Sequence, residues 1–218
     1  MFVLLSSAPF IQAHTVATKD GVQYCIGPDG LSYLHKGNMR RISREAGTCI
    51  VVFNDMIVTG HDGHIRSREK KRCRHVTAVA GKIVDLSASD SICIAATAQG
   101  LLYLSSDAKE WKMTDFNAQY SQYYGEIAVR CVCSSRAGLM LAGILDDGSP
   151  VAFESDRGGV WSPRELTYNE GGSILTLQER PVSLVYDYEH ERYEMACTGG
   201  VTFLLPGCSH CNALIKTQ

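Results

Sequence analysis

What this sequence lacks narrows its function before any motif is read. Charge of one sign is missing: 21 Lys and Arg face 23 Asp and Glu, a net charge of −2. No bulk field therefore draws the chain to nucleic acid or to an anionic membrane. No apolar run approaches the roughly 18 residues that span a bilayer. No Lys or Arg appears before Lys19, so the apolar opening, broken by Pro9, reads as a strand rather than an export signal. Helical periodicity is nearly absent. The sequence holds no Gly-x-Ser-x-Gly, no Gly-x-x-x-x-Gly-Lys and no His-Glu-x-x-His, so the common hydrolase, phosphate-loop and zinc-protease chemistries have no footing.

Cysteine, by contrast, is plentiful. Nine are present, an odd number, mostly within apolar runs such as Tyr24-Cys25-Ile26 and Ile92-Cys93-Ile94. Cysteines in such runs pack as small buried hydrophobes. Disulfide frameworks belong to shorter secreted chains, so the expected setting is reducing and cytoplasmic.

Short Val-, Ile-, Tyr- and Thr-rich runs recur along the chain, and they recur with a period. Five segments share one shape: two β-rich runs, a glycine, then a third run. The anchoring glycines are Gly30, Gly63, Gly100, Gly148 and Gly200, spaced 33, 37, 48 and 52 residues apart. A period near 40 built of short strands points to the blades of a β-propeller, in which each sheet buries its faces against its neighbours. The expected fold is all-β: a single domain, 1–218, forming one five-bladed propeller of four-stranded antiparallel blades. The repeats fall near 10–47, 48–82, 83–126, 127–173 and 174–218, and 1–9 is a candidate ring-closing strand.

Two repeats carry a sharper pattern after their third strand. One reads Ser105-Ser106-Asp107-Ala108-Lys109-Glu110-Trp111 and the other Glu154-Ser155-Asp156-Arg157-Gly158-Gly159-Val160-Trp161. These resemble the Asp-box, or BNR repeat, of sialidase-like propellers, within the wider WD40/YVTN-like group. The resemblance implies structural roles: Ser105, Asp107, Trp111, Asp156, Gly158 and Trp161 would form hairpin turns, with the acid capping amides and the Trp packing beneath. By sequence, the second copy keeps Asp, Gly and Trp, with Glu154 in place of Ser; the first is one residue shorter and lacks the Gly. Sialidases open on an Arg-Ile-Pro stretch ahead of the first blade, and none is present here. The resemblance therefore implies a propeller without the sialidase catalytic residues.

Three further groups bear on function. Cys208-Ser209-His210-Cys211 has the spacing of half a zinc site, with a plain turn of packed thiols as the simpler reading. No other cofactor is expected. The run from His61 to His75 is rich in cations; Arg66, Arg68 and Lys70 would line one side of a strand, as an anionic-partner patch or as a charged edge that resists aggregation. The third group is Tyr120, Tyr123 and Tyr124 in the segment Asn117–Gly125, expected as a connecting loop with adaptable contact surface or as cover for the seam between repeats.

The chain is thus expected to be a non-catalytic propeller acting as a protein-interaction or assembly module, with a protein as its partner. A small-ligand or glycan binder is the first alternative. A hydrolase or lyase of unrecognised type, with its site in the central channel, is the second. Nucleic acid and membrane are disfavoured as partners.

Overall fold

A computed structural model describes residues 15–35, 37–69, 72–135, 138–147, 150–164, 167–169, 172–177, 180–187 and 192–197. The proposed ring-closing strand 1–9, Lys70, and the Cys208, His210 and Cys211 group lie outside them, as do Gly148 and Gly200.

Among the described residues, eighteen strands form four antiparallel sheets, with one helix outside them. The first runs β1 (Thr15–Lys19), β2 (Val22–Gly27), β3 (Gly30–His35), β4 (Asn38–Ser43) in simple order. The second has six strands: β5 (Cys49–Phe53), β6 (Met56–Glu69), β7 (Arg72–Ala88), β8 (Cys93–Thr97), β9 (Leu101–Ser105) and β10 (Lys112–Asp115). The third is β11 (Ile127–Ser135), β12 (Gly138–Leu145), β13 (Pro150–Ser155), β14 (Ser162–Arg164). The fourth is β15 (Thr167–Asn169), β16 (Gly172–Leu177), β17 (Arg180–Asp187), β18 (Arg192–Cys197). It begins inside the expected fourth repeat, at a step from β14 that no glycine or proline marks.

The six-stranded sheet contains a fold-back. Residues 56–60 of β6 pair with β5, while residues 62–69 pair with β7. Thr59 Oγ1 donates to the Arg66 carbonyl at 3.5 Å. Seven residues of straight strand would separate them by roughly 23 Å, so β6 turns back on itself around Gly63, whose φ is +72°. The next strand changes partner in the same way: β7 leaves β6 near Gly81, φ +82°, and pairs with β8 from Ile83 onward.

Burial follows the period of two. All five residues of β8 are buried. Cys93 and Ala95 face the core of Phe53, Val58, Ile65 and Ile83. Ile94 and Ala96 face the core of Leu102, Ile127, Leu141 and Phe153. Successive side chains point to opposite faces, so one strand serves two cores. Each fully buried Ile, Leu or Phe contributes about 1.5–3 kcal/mol. A smaller cluster, Ile26, Leu31, Ile50 and Ile57, joins the first sheet to β5 and β6. Gly30 sits where that first sheet turns most tightly: φ is +104°, and a Cβ there would stand 2.1 Å from the Ser43 carbonyl oxygen.

One expectation is corrected here. Residues 116–124, read as a connecting loop, form helix α1 (Phe116–Tyr124). Its ends explain it. Asp115 caps the first turn, accepting from Ala118 N at 2.9 Å, and Gly125 N–H donates to the Ser121 carbonyl at 2.8 Å. Only Phe116 is buried, so the helix has no apolar stripe for sequence periodicity to reveal.

Candidate interaction surface

The two box turns prove to be the same turn. Strands β8 and β9 pair Cys93 with Ser105 and Ala95 with Tyr103; β12 and β13 pair Leu139 with Ser155 and Leu141 with Phe153. On that register the second turn aligns with the first at a constant offset of 50 residues. Ser155 then matches Ser105, Gly158 matches Ala108 and Trp161 matches Trp111. Ala108 N–H donates to Ser105 Oγ at 2.9 Å, and Gly158 N–H donates to Ser155 Oγ at 2.8 Å. Ala108 and Gly158 both have positive φ, +61° and +77°. Matched by residue type alone, the first copy is one residue shorter and Glu154 stands in place of Ser; in the structure the copies are equal in length, and Ser155 takes the serine role. Asp107 consequently stands opposite Arg157, not Asp156.

Asp107 is the working cap of the first turn. Its Oδ1 accepts from Lys109 N at 2.8 Å and Glu110 N at 3.0 Å, and from Ser105 Oγ at 3.1 Å. The amides of Glu110 and Lys109 hold its carboxyl below the usual range. Arg157 has no acceptor to offer in the same place.

Each box turn leans on the unit before it. Asn54 Nδ2 donates to the Ser106 carbonyl at 3.0 Å, and Ser67 Oγ donates to the Ala108 carbonyl. Gly158 sits against Leu104 of β9, while Trp161 N–H donates to Tyr120 OH on α1 at 2.8 Å. Trp161 is buried and packs edge-on to Phe116, centroids 5.9 Å apart. Trp111 is half-buried.

These contacts define α1's surface. An aromatic series starts at buried Phe116 and Phe153, 5.0 Å apart, and passes to Tyr120, stacked on Phe116 at 4.8 Å. Tyr124 meets Phe153 at 5.1 Å, and Tyr123 lies 6.3 Å from Tyr124. Tyr123 is 71% exposed, as is 77% of Val160, the neighbour of Trp161. The three candidate tyrosines therefore have three positions: Tyr120 is engaged internally, Tyr124 is at the margin, and Tyr123 is open.

The candidate arginines are arranged differently. The register shifts between Ser67 and Arg68, with Arg74 of β7 as the extra residue, and Ser67 and Arg68 are both buried. Arg68 pairs with Glu45 and reaches Ser43 Oγ at 3.3 Å; Arg66 Nε stands 3.8 Å from Glu45. Glu45 N–H also donates to Ser43 Oγ at 3.1 Å. Both guanidinium groups thus meet a carboxylate of this chain, in the link between the first sheet and β5. His61, nearby, is pulled below its ordinary value by burial first and by Arg66 second.

Little here supports nucleophilic chemistry. Burial pushes the Cys49 and Cys93 thiols well up, with Asp85 adding to the effect at Cys49, which removes the thiolate a nucleophile needs. Among the described residues no group of three or more His, Cys, Asp or Glu is placed to hold a metal. A cleft of about 570 Å³ beside α1 is lined by Gln99, Asp115, Asn117, Ser121, Glu126 and Asp146. Asp115 there is occupied as the helix cap, and Asn117 bonds the Gln99 carbonyl and both polar backbone groups of Ile127. Among the described residues no helix is long and apolar enough to cross a membrane.

No family model matches the sequence, and no curated protein is similar to it. Solved structures are. The WD40 β-propeller domain of Doa1 aligns at 10% identity and TM-score 0.56, covering 86% of this chain and 68% of its own. YCF48, bound to a D1 peptide, aligns at 11% identity and TM-score 0.54, covering 83% and 66%. PorZ, a surface component of the type-IX secretion system of Porphyromonas gingivalis, aligns at 11% identity and TM-score 0.50, covering 89% and 30%. Likeness at such identities is one of fold: antiparallel sheets succeed one another along this chain as they do in β-propellers.

Proposed function

We propose that the chain is a five-bladed propeller of the Asp-box type that serves as a non-catalytic protein-interaction module in a reducing compartment. The fold-back of β6 and the change of partner along β7 support the count, because together they divide the six-stranded sheet into two four-stranded units beside the other three. The partner binds the face built by α1 and the second box turn.

One observation carries this reading. The aromatic series from Phe116 and Phe153 out to Tyr124 and Tyr123 ends in solvent, flanked by Val160. Tyrosine on a rigid base is a strong contact residue, since it buries much area for little lost rotamer freedom. Here the base is a capped helix fixed to a core Trp. The fold likeness to a propeller described as bound to a peptide agrees with this role.

The test is affinity capture from the source cell with the wild type and with a Tyr123→Asp/Val160→Asp variant. Both positions are exposed, so the variant keeps the wild-type circular dichroism. A protein retained by the wild type and lost from the variant supports the reading. Equal retention, or none by either protein, refutes this surface.

A further inference from the structure

Charge in this chain is segregated. Segments 38–45 and 62–82 together contain ten Lys and Arg and three Asp and Glu, a net of +7. The whole chain carries −2, so the remainder carries −9. The fold brings the two segments together, because Glu45 after β4 meets Arg66 and Arg68 of β6.

Within this basic region β7 offers a bare edge. Residues 72–82 pair with β6 on one side, whereas β8 pairs only with the stretch from Ile83 to Ala88. Among the described residues no strand covers the other side of 72–78. Within the stretch the His75 carbonyl accepts from Cys73 Sγ at 3.7 Å, and beyond it Ala80 N–H donates to Tyr103 OH at 2.9 Å. Arg72, Cys73, Arg74, Val76 and Ala78 are all exposed, with Arg74 standing as the extra residue where the β6–β7 register shifts. Val76 is 56% exposed, an apolar contact between cations. Arg74 pairs with Glu69 at 2.9 Å on the surface, an exchangeable contact worth little.

We propose that the edge of β7 over Arg72–Ala78 binds an acidic segment of a partner protein in extended conformation, as an added strand. Main-chain hydrogen bonds hold the segment, and its carboxylates meet Arg72 and Arg74. Two features favour a peptide over other polyanions: unpaired strand groups recognise a peptide backbone, and no Phe, Tyr or Trp lies among residues 72–82 to stack bases. The inference rests on the protein-interaction reading for the class of partner, but not on the α1 face.

The experiment is fluorescence anisotropy of the full chain with a labelled octapeptide of alternating Glu and Val. The proposal expects saturable binding that weakens at least roughly tenfold in the Arg72→Glu/Arg74→Glu variant, and likewise on raising salt from about 25 to about 300 mM. Hydrogen exchange slows at alternate amides of 72–78 when the peptide is bound. The Tyr123→Asp/Val160→Asp variant binds this peptide normally, so failure of one surface is separable from failure of the other. Absence of saturable binding overturns the proposal. So does equal affinity for a peptide of the same length and charge with proline in place of each valine, which cannot donate to a strand there. Tighter binding of heparin or an oligonucleotide than of the peptide reassigns the surface to polyanions and overturns it as well.

Discussion

The turns at Ser105–Trp111 and Ser155–Trp161 follow one backbone path with different chemistry. Both begin with a serine hydroxyl that accepts the amide three residues on, both pass through a left-handed residue there, and both end on a tryptophan. Only the first places a carboxylate over the next two amides. Shape is therefore set by the serine, the positive φ and the tryptophan, and the acid is an addition to a turn that forms without it.

If that is right, the largest effects belong to the tryptophans, and they are unequal. Trp161 is buried beneath α1 and holds Phe116 at its edge; Trp161→Ala removes that packing and should cost about 3–5 kcal/mol. Trp111 is only half-buried, so Trp111→Ala should cost about 1–2 kcal/mol, in proportion to the area it hides. Urea denaturation of the two variants measures both. Equal losses would mean that the second turn has no special link to the helix.

The next effect concerns the left-handed position. Gly158→Ala puts a Cβ at φ +77° and 2.9 Å from Leu104 Cδ2, a loss of about 1–2 kcal/mol. The reverse change in the other turn, Ala108→Gly, relieves strain of about 1 kcal/mol but gives up a buried methyl worth about 0.8 kcal/mol. Its midpoint should hardly move. A clear loss at Ala108→Gly would show that the methyl, rather than the backbone, sets the turn.

These turns also mark how far the sequence could be read. Strands, the turn glycines Gly30, Gly63 and Gly100 and the tryptophans were legible, because alternation and turn residues are local signals. The pairing of Asp107 with Asp156 was misleading, because matching acids by type skipped the register, and register is set by the partner strand. Helix α1 was hidden for another reason: its stability comes from Asp115, Gly125 and one buried Phe116, none of which makes a periodic pattern. The Glu45 pairing with Arg66 and Arg68 spans more than twenty residues of sequence, and the register shift that leaves Arg74 as an extra residue beside them has no mark in the sequence. The tyrosines could be named as contact residues, but which of them reaches solvent depends on the helix.

The smallest effect separates the acid's charge from its oxygen. Asp107→Asn keeps an acceptor over the Lys109 and Glu110 amides but cannot titrate. In the wild type these amides depress the folded-state pKa of Asp107, while the unfolded value stays near 3.9. Its stabilisation is therefore complete above about pH 4 and fades as pH falls through the lower, folded value. Denaturation midpoints measured from neutral pH down to about pH 2 should fall less steeply for Asp107→Asn than for the wild type. Arg157→Asp runs the same argument in the other turn: it supplies the missing cap, should raise the midpoint slightly at neutral pH, and should lose that gain in acid. An Arg157→Asp midpoint that is unchanged at neutral pH would mean that the second turn does not aim its amides as the first does. The likeness between the turns would then end at the tryptophan and the serine.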